Sequence, residues 1–96
     1  MRHGVGVMKY ANQDVYNGDW YKNQKTGVGF YQYANGDRYE GNWIEDKKNG
    51  KAIYYWNTNE KFIGEWIHDK IKCGVFYKQN GDPIELRVED FEDVNL

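Results

Sequence analysis

The chain contains no serine, one proline (Pro83) and one cysteine (Cys73). A single thiol excludes an internal disulfide, and a reducing, cytoplasmic setting is the simple expectation. Leucine is almost missing too: Leu86 and Leu96 are the only two. A core of the usual Leu, Ile and Val is therefore not what this chain builds. No apolar run approaches the ~18 residues of a membrane-spanning helix. Met1-Arg2-His3-Gly4 has none of the features of a signal peptide. Dense positive charge is absent as well. Residues 1–81 carry 12 Lys/Arg and 9 Asp/Glu (+3), and residues 82–96 carry Arg87 against six acids (−5), which sums to the −2 of the whole chain. A near-neutral body with an acidic tail does not fit a nucleic-acid binder.

What the chain has instead is rings and glycine. Nine Tyr, four Trp and four Phe supply most of the apolar surface, alongside 11 Gly. Large rings with polar handles suit half-exposed packing. Their placement is periodic. Tyr16-Asn17-Gly18-Asp19-Trp20 recurs 23 residues later as Tyr39-Glu40-Gly41-Asn42-Trp43, and 23 later again as Phe62-Ile63-Gly64-Glu65-Trp66. Gly4-Val5-Gly6, Gly27-Val28-Gly29 and Gly50-Lys51-Ala52 keep the same period, as do Met8, Tyr31, Tyr54 and Tyr77. Repetition of this kind marks an array of small stacked units.

Each unit reads as strand, tight turn, strand and polar connector. Asn35-Gly36-Asp37 is the strongest turn signal, and Asn-Gly suggests a type I′ turn. Asn12-Gln13-Asp14 and Thr58-Asn59-Glu60 are weaker versions at the same phase, and Glu45–Asn49 reads as a connector. Strand alternation puts Gly27, Gly29, Tyr31 and Tyr33 on one face, and Tyr39, Gly41 and Trp43 on one face of the returning strand. A strand glycine next to rings leaves room for a neighbouring ring to lie over bare backbone. The expected fold is all-β: an elongated, twisted, single antiparallel sheet of consecutive hairpins. Residues 1–82 form the array and residues 83–96 an acidic tail. An isolated hairpin is marginal, so stability comes from stacking.

These motifs resemble the MORN repeat (membrane occupation and recognition nexus), with its Tyr-x-Gly-x-Trp strand, its glycine strand and its Asn-Gly-Asp turn. The likeness covers residues 2 to about 82. It implies a non-catalytic scaffold in a membrane-associated or cytoskeletal assembly, and a groove in which a partner peptide docks. Lys72-Cys73-Gly74 followed by an acidic tail resembles the end of arrays in ciliary and flagellar members, which implies that localisation. Some kinases and methyltransferases carry such arrays as accessory segments, but their catalytic motifs are not in this chain. The last unit departs from the pattern and reads as the array stopping. Arg2-His3-Gly4 looks like the middle of a repeat, so either the chain is a piece of a longer protein or an exposed edge strand begins there. An unpaired edge would favour self-association or docking onto a neighbouring protein, so partners are expected at the sheet edges as well as in the groove.

Candidate residues sort into three sets. Tyr16, Gly18, Trp20, Tyr39, Gly41, Trp43, Phe62, Gly64 and Trp66 read as the structural stack, the tryptophans as core holding hairpin to hairpin and not as a ligand platform. Tyr31, Tyr33, Tyr54 and Trp56 read as an exposed protein-binding groove. Lys22, Lys25, Lys47, Lys48, Lys70 and Lys72 fall at one phase, where they would line an edge facing anionic lipid such as acidic phosphoinositides, or form a mixed solvated edge with Asp19, Glu45, Asp46 and Asp69. No catalytic, metal-binding or cofactor-binding set emerges. His3, His68 and Cys73 lack ligand spacing, and the Gly-Val-Gly segments lack the Lys-Ser/Thr and helix of a phosphate loop. In the tail, alternation at Ile84, Leu86 and Val88 suggests a short strand. Phe91 and Val94 suggest a helical turn beyond it, which would cap the array or dock on a partner.

Overall fold

The computed structural model describes residues 3–87. Eight strands, β1 (Gly4–Lys9), β2 (Val15–Tyr21), β3 (Gln24–Gln32), β4 (Arg38–Ile44), β5 (Lys47–Tyr55), β6 (Lys61–Ile67), β7 (Lys70–Tyr77) and β8 (Pro83–Arg87), pair in chain order in one antiparallel sheet. The sheet is open and measures 42 × 23 × 20 Å overall. The strand expected at the head of the tail is β8. Residues 88–96, with the expected helical turn and capping role, lie outside the described residues.

The register explains the repeat. Gly6, Gly18, Gly29, Gly41, Ala52, Gly64 and Gly74 are successive cross-strand partners from β1 to β7. Beside this row runs a second one, Met8, Tyr16, Tyr31, Tyr39, Tyr54, Phe62 and Phe76. A Cβ at Gly29 would collide with the Tyr16 ring, and one at Gly74 with the Phe62 ring. The rings therefore lie flat over backbone that carries no side chain. Tyr16, Tyr39 and Phe62 are 0% exposed and Trp66 is 1% exposed. Burying a ring of this size contributes roughly 1.5–3 kcal/mol. Edge-on pairs such as Phe62–Trp66, with centroids 5.3 Å apart and planes at 90°, add about 0.5–1.5 kcal/mol. One face of a single sheet thus becomes the core.

Three local expectations are corrected. First, the type I′ turns are not at Asn35-Gly36. There only Gly36 has positive φ (97°), with the Gly36 N–H donating to Tyr33 O and the Tyr33 N–H to Asp37 O. This is a type I turn closed by one left-handed residue. Gln13, Asn59 and Gly81 hold the same place, at φ 79°, 74° and 91°. Second, the connectors are tighter than expected. Lys22-Asn23, Glu45-Asp46 and His68-Asp69 are two-residue turns with both φ values positive, between 47° and 70°. Lys47–Asn49 already belongs to β5. The I′ twist matches that of the flanking strands, and this outweighs the cost of left-handed Lys, Glu and His.

Third, simple alternation breaks at the bulges. Gly18 pairs with Gly29 but Trp20 with Lys25, so β3 carries two extra residues there, and β5 does the same opposite Gly41 and Trp43. Gly27 therefore does not share a face with Gly29; a Cβ there would meet the Asp19 carboxylate. In β7 Glu65 pairs with Cys73 and Trp66 with Ile71, leaving only one extra residue. The last unit is one residue shorter for this reason. Phe76, not Tyr77, stands opposite Phe62, and Tyr77 pairs with Lys61.

Candidate protein-interaction surface

The four rings read as a groove come together on the aromatic face. Centroid distances are 4.7 Å for Tyr31–Tyr33, 5.6 Å for Tyr33–Tyr54 and 5.0 Å for Tyr54–Trp56. Tyr10 extends this chain at one end (5.9 Å from Tyr31) and Phe76 at the other (5.4 Å from Trp56). Neither was among the expected groove residues, although Tyr10, Tyr33 and Trp56 share one phase. Tyr54 needs correcting: it is 6% exposed and belongs to the core. Tyr10, Tyr31, Tyr33, Trp56 and Phe76 stay half-buried.

Two turn carboxylates form a repeated device. The Tyr54 hydroxyl donates to Asp37 Oδ2 (2.8 Å), and the Asn57 N–H donates to Asp37 Oδ1 (2.9 Å). One unit earlier the Tyr31 hydroxyl donates to Asp14 Oδ2 (2.7 Å), and the Ala34 N–H to Asp14 Oδ1 (2.8 Å). Each aspartate reaches from its own turn to the next hairpin and joins the two. Asp14 and Asp37 are 8% and 7% exposed, yet neither has an ion-pair partner among the described residues. Neutral donors alone satisfy them. Burial, then the hydrogen bond to the carboxylate, pushes the Tyr31 and Tyr54 hydroxyls well above the ordinary tyrosine range. Burial, then the charges of Asp14, Asp69 and Asp37, does the same to Tyr33. The sequence signal was available: Asp14–Tyr31 and Asp37–Tyr54 are both 17 residues apart.

The opposite strand ends carry a second set of rungs. The Asp46 N–H donates to Lys25 O (3.1 Å), the Lys25 N–H to Asp46 Oδ1 (2.6 Å), and Lys25 Nζ lies 3.4 Å from Asp46 Oδ1. Asp69 and Lys48 repeat all three contacts, at 2.9, 2.8 and 3.9 Å. These two lysines do not face outward as expected. Their side chains are 13% and 12% exposed. The bulge turns them onto the aromatic face, where Lys25 Nζ lies 5.2–5.9 Å from the centroids of Tyr10, Tyr16, Tyr31 and Trp43. Cation–π attraction of this kind is strongest where water is excluded. Burial holds the Lys48 ammonium below the usual lysine range, against the opposing pull of Asp69. Lys22, Lys47, Lys70 and Lys72 remain exposed, and Lys72 Nζ lies 3.7 Å from Glu65.

Trp20, Trp43 and Trp66 are 6%, 4% and 1% exposed and stand within the ring stack. No cluster of three metal-ligating side chains occurs among the described residues. His3 sits edge-on to Tyr21, and Cys73 is half-buried.

A family model of the MORN repeat matches residues 1–15, 16–38 and 39–61, well over half the chain. The chain is a MORN-repeat protein. The matched boundaries at residues 16 and 39 coincide with Tyr16 and Tyr39, the rings that cover the glycine row. A comparison with curated proteins gives no match. MORN repeats are in general modules that engage proteins or membranes, and the array here agrees with a non-catalytic interaction role.

Proposed function

We propose that this MORN array is a scaffold that holds a partner protein segment on its aromatic face. The observation that carries this is the chain of half-buried rings Tyr10, Tyr31, Tyr33, Trp56 and Phe76, packed against the core, in which the Asp14 rung holds Tyr31 and the Asp37 rung holds the adjoining Tyr54. Rigid rings of partial exposure lose little side-chain entropy when a partner covers them, which suits them as anchors. The resemblance of the Lys72-Cys73-Gly74 end and the acidic tail favours a cytoskeletal assembly of the ciliary or axonemal kind. Tyr33→Ala combined with Trp56→Ala should weaken capture of a partner from such an assembly at least tenfold and leave the far-UV circular dichroism unchanged. Undiminished capture would defeat the assignment.

A second reading is a peripheral membrane role for the connector edge. Tyr21, Ile44 and Ile67 are 55%, 50% and 46% exposed at one repeat phase, and Ile44 and Ile67 pair with Lys47 and Lys70. Exposed apolar side chains beside cations are what an anionic lipid surface favours. Flotation with phosphoinositide-containing liposomes that fades at high salt supports it. Failure to float removes it.

A further inference from the structure

Charge is segregated at the turn end of the sheet. Asp14, Asp37, Glu60 and Asp82 each hold the last turn position before the returning strand, one per hairpin. Their alternation with Tyr16, Tyr39, Phe62 and Ile84 puts them on the aromatic face. The cations of this end mostly stand on the other face. The Arg38 guanidinium lies 4.6 Å over the Tyr55 ring, and Lys61 Nζ lies 5.3 Å over Tyr77. Lys9 pairs with Val15, also on that side. Lys78 alone takes the phase of Tyr10, Tyr33 and Trp56, at the far end of the row. Asp14, Asp37 and Glu60 are thus a line of carboxylates along one flank of the ring chain, with no ion pair among the described residues. The other flank is balanced, since Lys25 and Lys48 already pair with Asp46 and Asp69.

Spacing narrows the occupant further. Successive rungs are two strands apart, about 9.5 Å. Side chains seven residues apart on an α-helix are separated by about 10.5 Å and lie on the same side. On one face of an extended strand the available steps are about 6.7 and 13 Å, and neither fits. We infer that the segment held on the aromatic face is an amphipathic helix, with lysine or arginine every seventh residue on one flank of its apolar stripe, lying across the strands. The apolar stripe covers Tyr33, Trp56 and their neighbours, and the cations lie over the carboxylate flank, where they meet the unpaired charge of the nearly buried Asp14 and Asp37 without displacing the donors that hold them. This rests on the aromatic-face reading and adds to it the partner's charge, conformation and register.

Synthetic 22-residue helical peptides test it, titrated into the full chain and followed by tryptophan fluorescence. Four peptides share one apolar stripe. One carries lysine at three heptad positions on the flank, the second glutamine there, the third glutamate, and the fourth the same three lysines on the solvent side. The flank-lysine peptide should bind at least tenfold tighter than the glutamine and solvent-side peptides in 50 mM salt, and the advantage should shrink to about twofold in 500 mM. The solvent-side peptide has the same charge, so any attraction to the acidic tail is common to both. Asp14→Asn with Asp37→Asn should remove most of the advantage, and Asp37→Asn alone a large part of it, whereas Glu40→Gln, which removes one charge from the opposite face, should not. If the double variant fails to fold, the peptide and salt series decide alone. Equal binding of the lysine and glutamine peptides, or tightest binding of the glutamate one, overturns the charge assignment and leaves ring docking intact. Equal binding of the two lysine peptides overturns the register. Binding of no peptide at all to natively folded protein overturns the inference together with the aromatic-face reading.

Discussion

The inner hairpins and the last one are joined by the same backbone ladder but by different side chains. Asp14 and Asp37 each tie the next hairpin by a tyrosine hydroxyl and a backbone N–H. In the last unit Glu60 replaces the aspartate, Phe76 replaces the tyrosine, and the Glu60 carboxylate accepts from its own neighbour Thr58 (2.7 Å). What remains there is Gln79 Nε2 donating to Thr58 O (2.8 Å). At the other strand ends the cation is lost as well, since Ile71 pairs with Trp66 where Lys25 and Lys48 pair with Trp20 and Trp43. Apolar stacking therefore runs the whole length of the array, while polar locking belongs to its front. One extra methylene in a carboxylate and one missing hydroxyl are enough to end a rung.

Substitutions in the glycine row should do the most damage, and equally in both regions. Gly29→Ala and Gly74→Ala each drive a methyl into a buried ring, and each should cost about 3 kcal/mol or more, read by urea unfolding. A much smaller cost at Gly74 would show that the last hairpin is not stacked like the others. Removing a rung should separate the regions. Asp37→Ala leaves the Tyr54 hydroxyl and the Asn57 N–H without their acceptor and should cost about 2–4 kcal/mol, whereas Glu60→Ala should cost less than about 0.5 kcal/mol.

Alkali should act through the inner hairpins. Tyr16, Tyr31, Tyr33, Tyr39 and Tyr54 all have hydroxyls raised above the ordinary tyrosine value of 10.0, chiefly by burial. The unfolded chain then loses phenolic protons before the folded one. Their contribution is complete below about pH 10 and falls as pH climbs toward the folded values. Lys48, held below its usual range, acts in the opposite sense but is a single group. Thermal melts from pH 8 to 12 should show stability falling steeply above about pH 10. Flat stability through pH 12 would mean the phenols are not buried as described.

The last expected effect is a modest gain. Glu60→Asp with Phe76→Tyr rebuilds the inner rung in the last unit. It should add about 1 kcal/mol, which raises the Tm by about 4–8 °C. Either change alone should do less, because each needs the other. A double variant no more stable than the sum of the single ones would mean the rung is not a coupled unit.

The stacking itself was legible in the sequence, because glycine and rings obey a geometric rule that a 23-residue period displays directly. The misreadings arose where spacing stops being alternation. The bulges placed Lys25 and Lys48 among rings although their phase looked like a polar connector, and the shortened bulge moved Phe76 into the place expected for Tyr77. Asn35-Gly36 misled because a single left-handed glycine serves a type I turn as well as two serve a type I′ turn. The rungs of Asp14 and Asp37 were missed because a turn aspartate normally bonds within its own turn, as both also do with Asn12 and Asn35.

Native-state hydrogen exchange at three homologous turn amides tests the carboxylate rungs most directly. The Ala34 and Asn57 N–H groups, bonded to Asp14 and Asp37, should exchange at least tenfold more slowly than the Gln79 N–H, and Asp37→Ala should lower protection at Asn57 while leaving Ala34 unchanged. Protection at Gln79 equal to that at Asn57, or an Asn57 amide indifferent to Asp37, would contradict it.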